Sequence, residues 1–344
     1  MSSSPGLSPG TSILLTGGAG FIGSHLAARL IGAGARVTIL DDLNDAYSTR
    51  LKRENLRQVS EQGSFDFLQV DISDSGELQA ALSGKSYEIL IHLAARTGVR
   101  SSLDCPLLYE RVNLQGTLGL LELARRGMCR KFIFGSSSSV YGRTSRAPFS
   151  EEEDHLQPLS PYGVTKLAGE KLCCCFADLY ELEVTCLRFF SVYGPRQRPD
   201  LVIHKFARAI EESRPLTLFG DGSSRRDYTY VDDIVDGIVA ALPLNFRFEV
   251  FNLGSGNPIP LKRMVQLLER ALGKPALLRR QEPQPADMPF THADLGKAAR
   301  VLGYAPRVPL EEGLARFAEW FRGTSRSASR PLPRQPPQQD QAAS

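Results

Sequence analysis

Three glycines, at 17, 20 and 23, stand in the stretch TGGAGFIGSH directly behind the chain's first apolar run, SILLTG. No other feature restricts the fold as tightly. Glycine is needed where a backbone turns with positive φ, or where a bulky anion must lie against the main chain. The residues that follow, SHLAARLIGAG, carry an amphipathic helical pattern, so the glycines separate a strand from a helix start. A helix so placed aims its free N–H groups and positive dipole end at whatever occupies the turn. In that context the triplet, with Phe21 and Ile22 inside it, predicts a seat for the diphosphate of a dinucleotide. A second apolar run, RVTILDD, ends in Asp41 and Asp42, about 20 residues further on. A carboxylate there accepts hydrogen bonds from ribose hydroxyls and repels a 2′-phosphate, which predicts NAD over NADP.

Four more apolar runs, FDFLQVDI, EILIHLAA, KFIFGSSS and EVTCLRFF, repeat the pattern with amphipathic stretches between them. Repeated β–α units of this length predict a parallel sheet covered by helices on both faces. Asp71-Ile72 and Leu93-Ala94-Ala95 fall at strand ends, where parallel strands line a cofactor crevice. The two alanines leave room for close approach. His92 has no partner at metal-ligand spacing and reads as structural. After Phe190 the rhythm changes to a turn-rich basic segment, SVYGPRQRPD, followed by shorter strands and helices. The expected division is a first lobe over 11–190, also receiving 226–245, and a smaller one over 191–322. RDYTYVDDIVDGIVAAL reads as a helix that packs back on the first lobe. Residues 1–10 and 323–344, rich in Ser, Pro and Gln, read as disordered tails.

Composition narrows the function classes. Forty-one basic and 38 acidic residues leave a net charge of +3, too small a field to draw the chain onto nucleic acid or a membrane surface. No apolar run is long enough to span a bilayer, and MSSSPGLSPG lacks the features of a signal peptide. The six cysteines show no metal-ligand spacing. Cys173, Cys174 and Cys175, three in a row that cannot all point one way, read as small core residues of a helical run in a reducing compartment, the cytoplasm, and no metal is expected.

The segment SPYGVTK places Tyr162 and Lys166 one helical turn apart. A phenol ionises near pH 10, and an adjacent cation lowers that value, so the pair suits a general base and its tuner. Ser137, at the carboxyl end of the fifth strand, can face the same crevice. TGGAGFIGSH, HLAA, SSSSVYG, YGVTK, RFFSVYGPRQRPD and RRDYTYVDDI, in that order, resemble the extended short-chain dehydrogenase/reductase superfamily over nearly all of residues 11–322. The resemblance implies an α/β fold: a Rossmann-type doubly wound parallel sheet with a smaller C-terminal α/β lobe for substrate.

Within that superfamily the chain resembles the nucleotide-sugar 4-epimerases, and most closely the UDP-glucuronate 4-epimerases. The resemblance implies NAD as cofactor, contacted also by Phe189. It implies that Tyr162 takes the proton of the C4 hydroxyl, Lys166 lowers its pKa and holds ribose, and Ser137 steadies the C4 oxygen. Ser138 and Ser139 occupy the stretch where the related dehydratases carry Asp-Glu, which disfavours dehydration. By the same resemblance Ser191 and Arg198 lie beside the sugar carboxylate, and Arg226 binds diphosphate. Asp287 and Thr291 line the sugar pocket, Thr291 leaving space for a substituent. Arg198 holding the diphosphate or a surface acid stays open, as do substrate contacts of Arg100 and Ser102. Ala286 replaces the family's usual Gly. UDP-glucose or UDP-N-acetylglucosamine remains an alternative substrate. A decarboxylase, a net oxidoreductase and a non-enzymatic NAD sensor are the rival functions. A homodimer is implied, built on the helix after DCPLLY and the one carrying Tyr162. The stripe Leu114, Leu118, Leu121 suits either that bundle or packing on the sheet.

Overall fold

The computed structural model describes residues 7–143, 145–282 and 288–328. The chain opens with β1 (Ser12–Thr16), α1 (Phe21–Gly32), β2 (Arg36–Leu40), α2 (Thr49–Ser60), β3 (Asp66–Leu68), α3 (Ser75–Leu82) and β4 (Ile89–His92). Then come α4 (Val99–Asp104), α5 (Pro106–Tyr109), α6 (Gly116–Leu123), β5 (Lys131–Ser137), α7 (Pro161–Tyr180), β6 (Glu183–Phe189) and β7 (Ser191–Tyr193). The remainder holds α8 (Val202–Glu211), β8 (Pro215–Phe219), β9 (Arg225–Tyr230), α9 (Val231–Ala241) and β10 (Phe248–Leu253). It ends with β11 (Pro258–Pro260), α10 (Leu261–Leu272), β12 (Leu277–Gln281), α11 (Gly296–Leu302) and α12 (Leu310–Ala328).

Seven strands form one sheet in the order β10-β6-β5-β4-β1-β2-β3, every pairing parallel. Successive side chains on a strand point to opposite faces. Ile13 and Leu15 therefore enter a core with α1, α2, α9 and α11, while Leu14 enters another with α3, α6 and α7. Strand order reverses between β1 and β4, and in open parallel sheets ligands bind outside the carboxyl ends of the strands at such a switch point. A third core gathers α8, α10 and α12 around Phe206, Leu268 and Phe317. Beside it lie a β11-β9-β7 sheet and the β12-β8 pair.

Several expectations change. The main sheet has a seventh strand, β10, drawn from the C-terminal part of the chain. RRDYTY is a strand of the small three-stranded sheet, and only Val231–Ala241 is helical. Thr229 and the tyrosines favour the pleated backbone. Its Asp227 carboxylate accepts from the Ser255, Gly256 and Ala293 amides, tying the turn at 255–256 and the segment at Ala293 to β9. The N-terminal tail is shorter than expected, since Gly10 N–H donates to Gly34 carbonyl and Leu7 packs on the core. At the other end α12 continues to Ala328, past the expected boundary at 322. The leucine stripe is divided, for Leu121 is fully buried and Leu118 is exposed. Of the three consecutive cysteines Cys173 is buried, Cys174 is half-buried and Cys175 is exposed rather than a core residue. Among the described residues no helix is long and apolar enough to cross a membrane, and no cluster is suited to a metal.

His92 is structural, linking Thr16 Oγ1 of β1 (2.8 Å) to Thr117 Oγ1 of α6 (2.9 Å). Burial, reinforced by Lys166, pulls its pKa down to about 3. A group whose native pKa is depressed stabilises the fold above its unfolded value of 6.5 and loses that contribution as pH falls towards 3. His92→Gln cannot titrate. From pH 6.5 to 5, urea denaturation should show the variant losing about 2 kcal/mol less stability than the wild type. Parallel curves would assign the acid sensitivity elsewhere.

Candidate active site

Local chemistry starts α7 where the site needs it. Ser160 is extended at the N-cap, and its hydroxyl accepts from Gly163 N at 3.2 Å. Pro161 occupies the first helical position, where no N–H is required. The helix then presses onto β5. A Cβ at Gly163 would lie 2.5 Å from the Ser139 carbonyl oxygen, and one at Gly169 2.5 Å from the Phe134 ring. This close approach brings Tyr162 to Ser137. Burial pushes the phenol's pKa up, while hydrogen bonding with Ser137 and the guanidinium of Arg198 pull it down. Ser137 Oγ also accepts from Ser139 N at 3.1 Å, and Ser138 and Ser139 lie in the short turn after β5. Tyr109 meets the Tyr162 ring edge-on, with centroids 6.2 Å apart.

Lys166 departs from the expectation. Its buried ammonium donates to the Gly135 carbonyl at 2.7 Å and lies 4.9 Å from the centre of the Phe134 ring. Desolvation lowers its pKa to about 8. The cation acting on the phenol here is Arg198, because Lys166 is turned to the strand below. One turn beyond Lys166, Glu170 anchors a buried network that sequence reading missed. Its carboxylate takes Ser136 Oγ at 2.5 Å and the Arg188 guanidinium twice, at 2.9 and 2.8 Å. Arg188 lies over the Tyr141 ring. The i, i+4 spacing of Lys166 and Glu170 was visible in KLAGE, but the partner on β6 was not.

Arg198 is largely buried, forked onto Asp200 and 6.0 Å from the centre of the Tyr47 ring. Ser191 begins β7 in register with Tyr228 of β9. Arg226 lies half-buried on β9, one Nη donating to its neighbour's carbonyl. Thr291 does not simply leave space: its hydroxyl accepts from Asp227 N at 3.1 Å, so it fastens the loop to β9. Arg100 stacks on Phe219 at 4.3 Å, whereas Ser102 is buried and donates to the Val99 carbonyl. Asp287 lies outside the described residues.

At the nucleotide end Gly17 has φ +73°, and a Cβ there would sit 2.7 Å from Ala94 N. A Cβ on Gly23 would sit 2.1 Å from Gly17 oxygen. The loop is therefore pressed between β4 and α1, with Gly20 capping the helix and Phe21 and Ile22 in its first turn. Asp41 is buried and accepts from Ala19 N (3.2 Å) and Leu43 N (3.0 Å); burial raises its pKa. Asp42 holds the Asn44 side chain, and Asp71 holds Ser73. Ile72 is packed against Gly116. Leu93, Ala94 and Ala95 follow β4 and are only partly buried, and Phe189 pairs with Ser137 at the end of β6. A glycine cradle at a helix N-terminus, with a carboxylate at the next strand end, fits a dinucleotide.

Residues 13–254 match the NAD dependent epimerase/dehydratase family. The chain belongs to it. A UDP-glucuronate 4-epimerase of Thermodesulfobacterium geofontis is 41% identical over 309 residues, covering 89% of this chain and 95% of the relative. The crystal structure of a Bacillus cereus UDP-glucuronic acid 4-epimerase, in complex with UDP-glucuronic acid and NAD, superposes with a TM-score of 0.84. It is 38% identical and covers 91% of this chain and 99% of that one. A Thermotoga maritima UDP-glucose 4-epimerase with UDP-glucose also reaches a TM-score of 0.84, at 35% identity and with the same coverage. In an epimerase-family site of this build, Gly17, Gly20, Gly23 and Asp41 would hold the cofactor beside Tyr162.

Proposed function

We propose that this chain interconverts UDP-glucuronate and UDP-galacturonate by inverting C4. The observation that supports the reading is that Ser137 and Arg198 both act on the Tyr162 phenol, in a chain whose relatives include UDP-glucuronate 4-epimerases along nearly their whole length. Bound NAD supplies the oxidising power, taking hydride from C4 and giving it back to the opposite face. Tyr162 removes the proton from the C4 hydroxyl and returns it after the sugar has turned. Ser137 keeps the C4 oxygen in line with the phenol through both halves. Lys166, held by Gly135, steadies the nicotinamide ribose. Arg198 exchanges the Asp200 carboxylate that its fork holds in the free protein for the C6 carboxylate, with Ser191 beside it. The 4-keto sugar is a β-keto acid, and an ion pair at C6 keeps the carboxylate out of the alignment that releases CO2.

The test is an NMR assay of purified protein with UDP-glucuronate, UDP-glucose and UDP-N-acetylglucosamine. The expected result is the axial C4 epimer from UDP-glucuronate without net formation of NADH. The similarity to a UDP-glucose 4-epimerase supports the second reading, and conversion of UDP-glucose alone would replace the first with it. Arg198→Met should reduce kcat/KM on UDP-glucuronate at least about tenfold more than on a neutral hexose. Equal losses would remove Arg198 as the carboxylate's partner.

We also assign a homodimer to the face shared by α5, α6 and α7. Leu107 is 80% exposed, Leu179 64% and Val164 53%. Leu118 extends this apolar face. A monomer in sedimentation at micromolar concentration would dispose of that assignment.

A further inference from the structure

Arg198 and Asp200 are the charged residues of one tight turn, Arg198-Pro199-Asp200-Leu201. Leu201 N–H closes it on the Arg198 carbonyl at 3.2 Å, and the fixed φ of Pro199 suits the second position of such a turn. The turn therefore brings a carboxylate to the guanidinium from two residues away, with no help from a distant element. Asp200 Oδ1 accepts from Arg198 Nε at 2.9 Å, and the other carboxylate oxygen accepts from Nη2, so one edge of the fork is filled. The partners differ in exposure. The Arg198 side chain keeps 18% of its surface and the Asp200 side chain 36%. The carboxylate can be released to water, whereas the guanidinium stays inside. Three tyrosines surround the pair. Arg198 lies 6.0 Å from the centre of the Tyr47 ring and acts on the Tyr162 phenol. Both charges act on Tyr109, which meets the Tyr162 ring edge-on. An anion thus waits on the fork beside the phenol, and the transfer of hydride and proton at C4 makes no use of it.

We propose that Asp200 is a specificity-determining residue, an internal carboxylate that fills the Arg198 fork whenever the bound sugar has no carboxylate of its own and thereby narrows the preference for acidic over neutral UDP-sugars. The inference rests on the reading that Arg198 receives the C6 carboxylate. A largely buried guanidinium without an anionic partner is costly. With a neutral hexose in the site the Arg198–Asp200 pair stays closed, and that cost never arises. With a uronate the fork changes partner, and the net gain is the difference between two carboxylates. An unoccupied fork would give the uronate the whole of that interaction. Asp200 therefore acts on both sides of the comparison: it spares the neutral sugar a penalty and takes from the acidic one part of its advantage.

The test is calorimetric binding of UDP-glucuronate and UDP-glucose to the NAD-loaded Tyr162→Phe protein, in which the sugars stay intact during the titration. Adding Asp200→Asn should raise the ratio of the UDP-glucose Kd to the UDP-glucuronate Kd at least about tenfold. A smaller rise, or a fall, overturns the proposal. Loss of a negative charge would by itself favour the more anionic ligand, so the same substitution is also made beside Arg198→Met. There it should change the ratio by less than about threefold, because Asp200 acts through the fork. Equal changes with and without Arg198 would reduce the effect to long-range repulsion and overturn the proposal as well. Should Asp200→Asn fail to fold, Asp200→Ser, which admits water to the guanidinium, takes its place in both backgrounds under the same thresholds. Failure of the carboxylate reading shows separately: Arg198→Met with Asp200 intact would then leave the ratio at its starting value.

Discussion

Tyr162→Phe should lower C4 epimerisation at least about 100-fold while leaving NAD affinity and thermal stability close to wild type. The substitution removes one oxygen and keeps the ring. The edge-on contact with Tyr109 survives, and so does the N-terminal turn of α7, which is built from Ser160, Pro161 and Gly163. What disappears is the proton acceptor beside Ser137. In the free protein burial holds the phenol's pKa above its ordinary value, and Ser137 and Arg198 work against that rise. The site therefore needs a positive neighbour near the phenol when the reaction runs, and it already supplies one in Arg198. An NMR time course of the two epimers, with a melting curve on the same sample, checks both halves. Normal turnover in Tyr162→Phe would assign the base to another group.

The second large effect concerns stability. Arg188→Met should cost about 3–5 kcal/mol, because it leaves the Glu170 carboxylate buried without its charged partner. Both side chains of this pair are about 4% exposed, and water cannot replace the lost guanidinium. The melting temperature should drop by roughly 4–7 °C. Replacing both members, Glu170→Met with Arg188→Met, should recover most of the loss, since a buried ion pair exchanged for apolar groups of similar volume is often neutral. The network joins α7 to β5 and β6 directly below Lys166. Arg188→Met should for that reason also depress turnover in the fraction that stays folded. A single variant as stable as wild type would show that the carboxylate finds another partner.

Much of this is legible in the amino-acid sequence. The glycine triplet is a local signal: at Gly17 and Gly23 a Cβ would strike backbone, and the strand and helix on either side are read from periodicity over a few residues. Six of the seven strands of the main sheet were legible for the same reason. β10 was not, because FEVFNL follows a break in the β–α rhythm and its first half is only partly buried. Membership in a sheet is decided by non-local pairing, here with β6. RDYTY reads in the sequence as part of the helix it precedes, since the apolar pattern of VDDIVDGIVAAL dominates any window that includes both.

The spacing of Tyr162 and Lys166, the glycines under the helix and the carboxylates after β2 were settled by the amino-acid order, because each depends on the geometry of a few consecutive residues. Which charges meet was decided only by folding. Lys52 reached Asp41 and Asp42, Arg188 reached Glu170, and Arg198 reached the phenol across different elements of the chain. In TRLKRENLRQVS a lysine reads as one more solvated charge on a polar helix. Charge interactions fall with distance and strengthen as water is excluded, and neither distance nor exclusion is written along the chain.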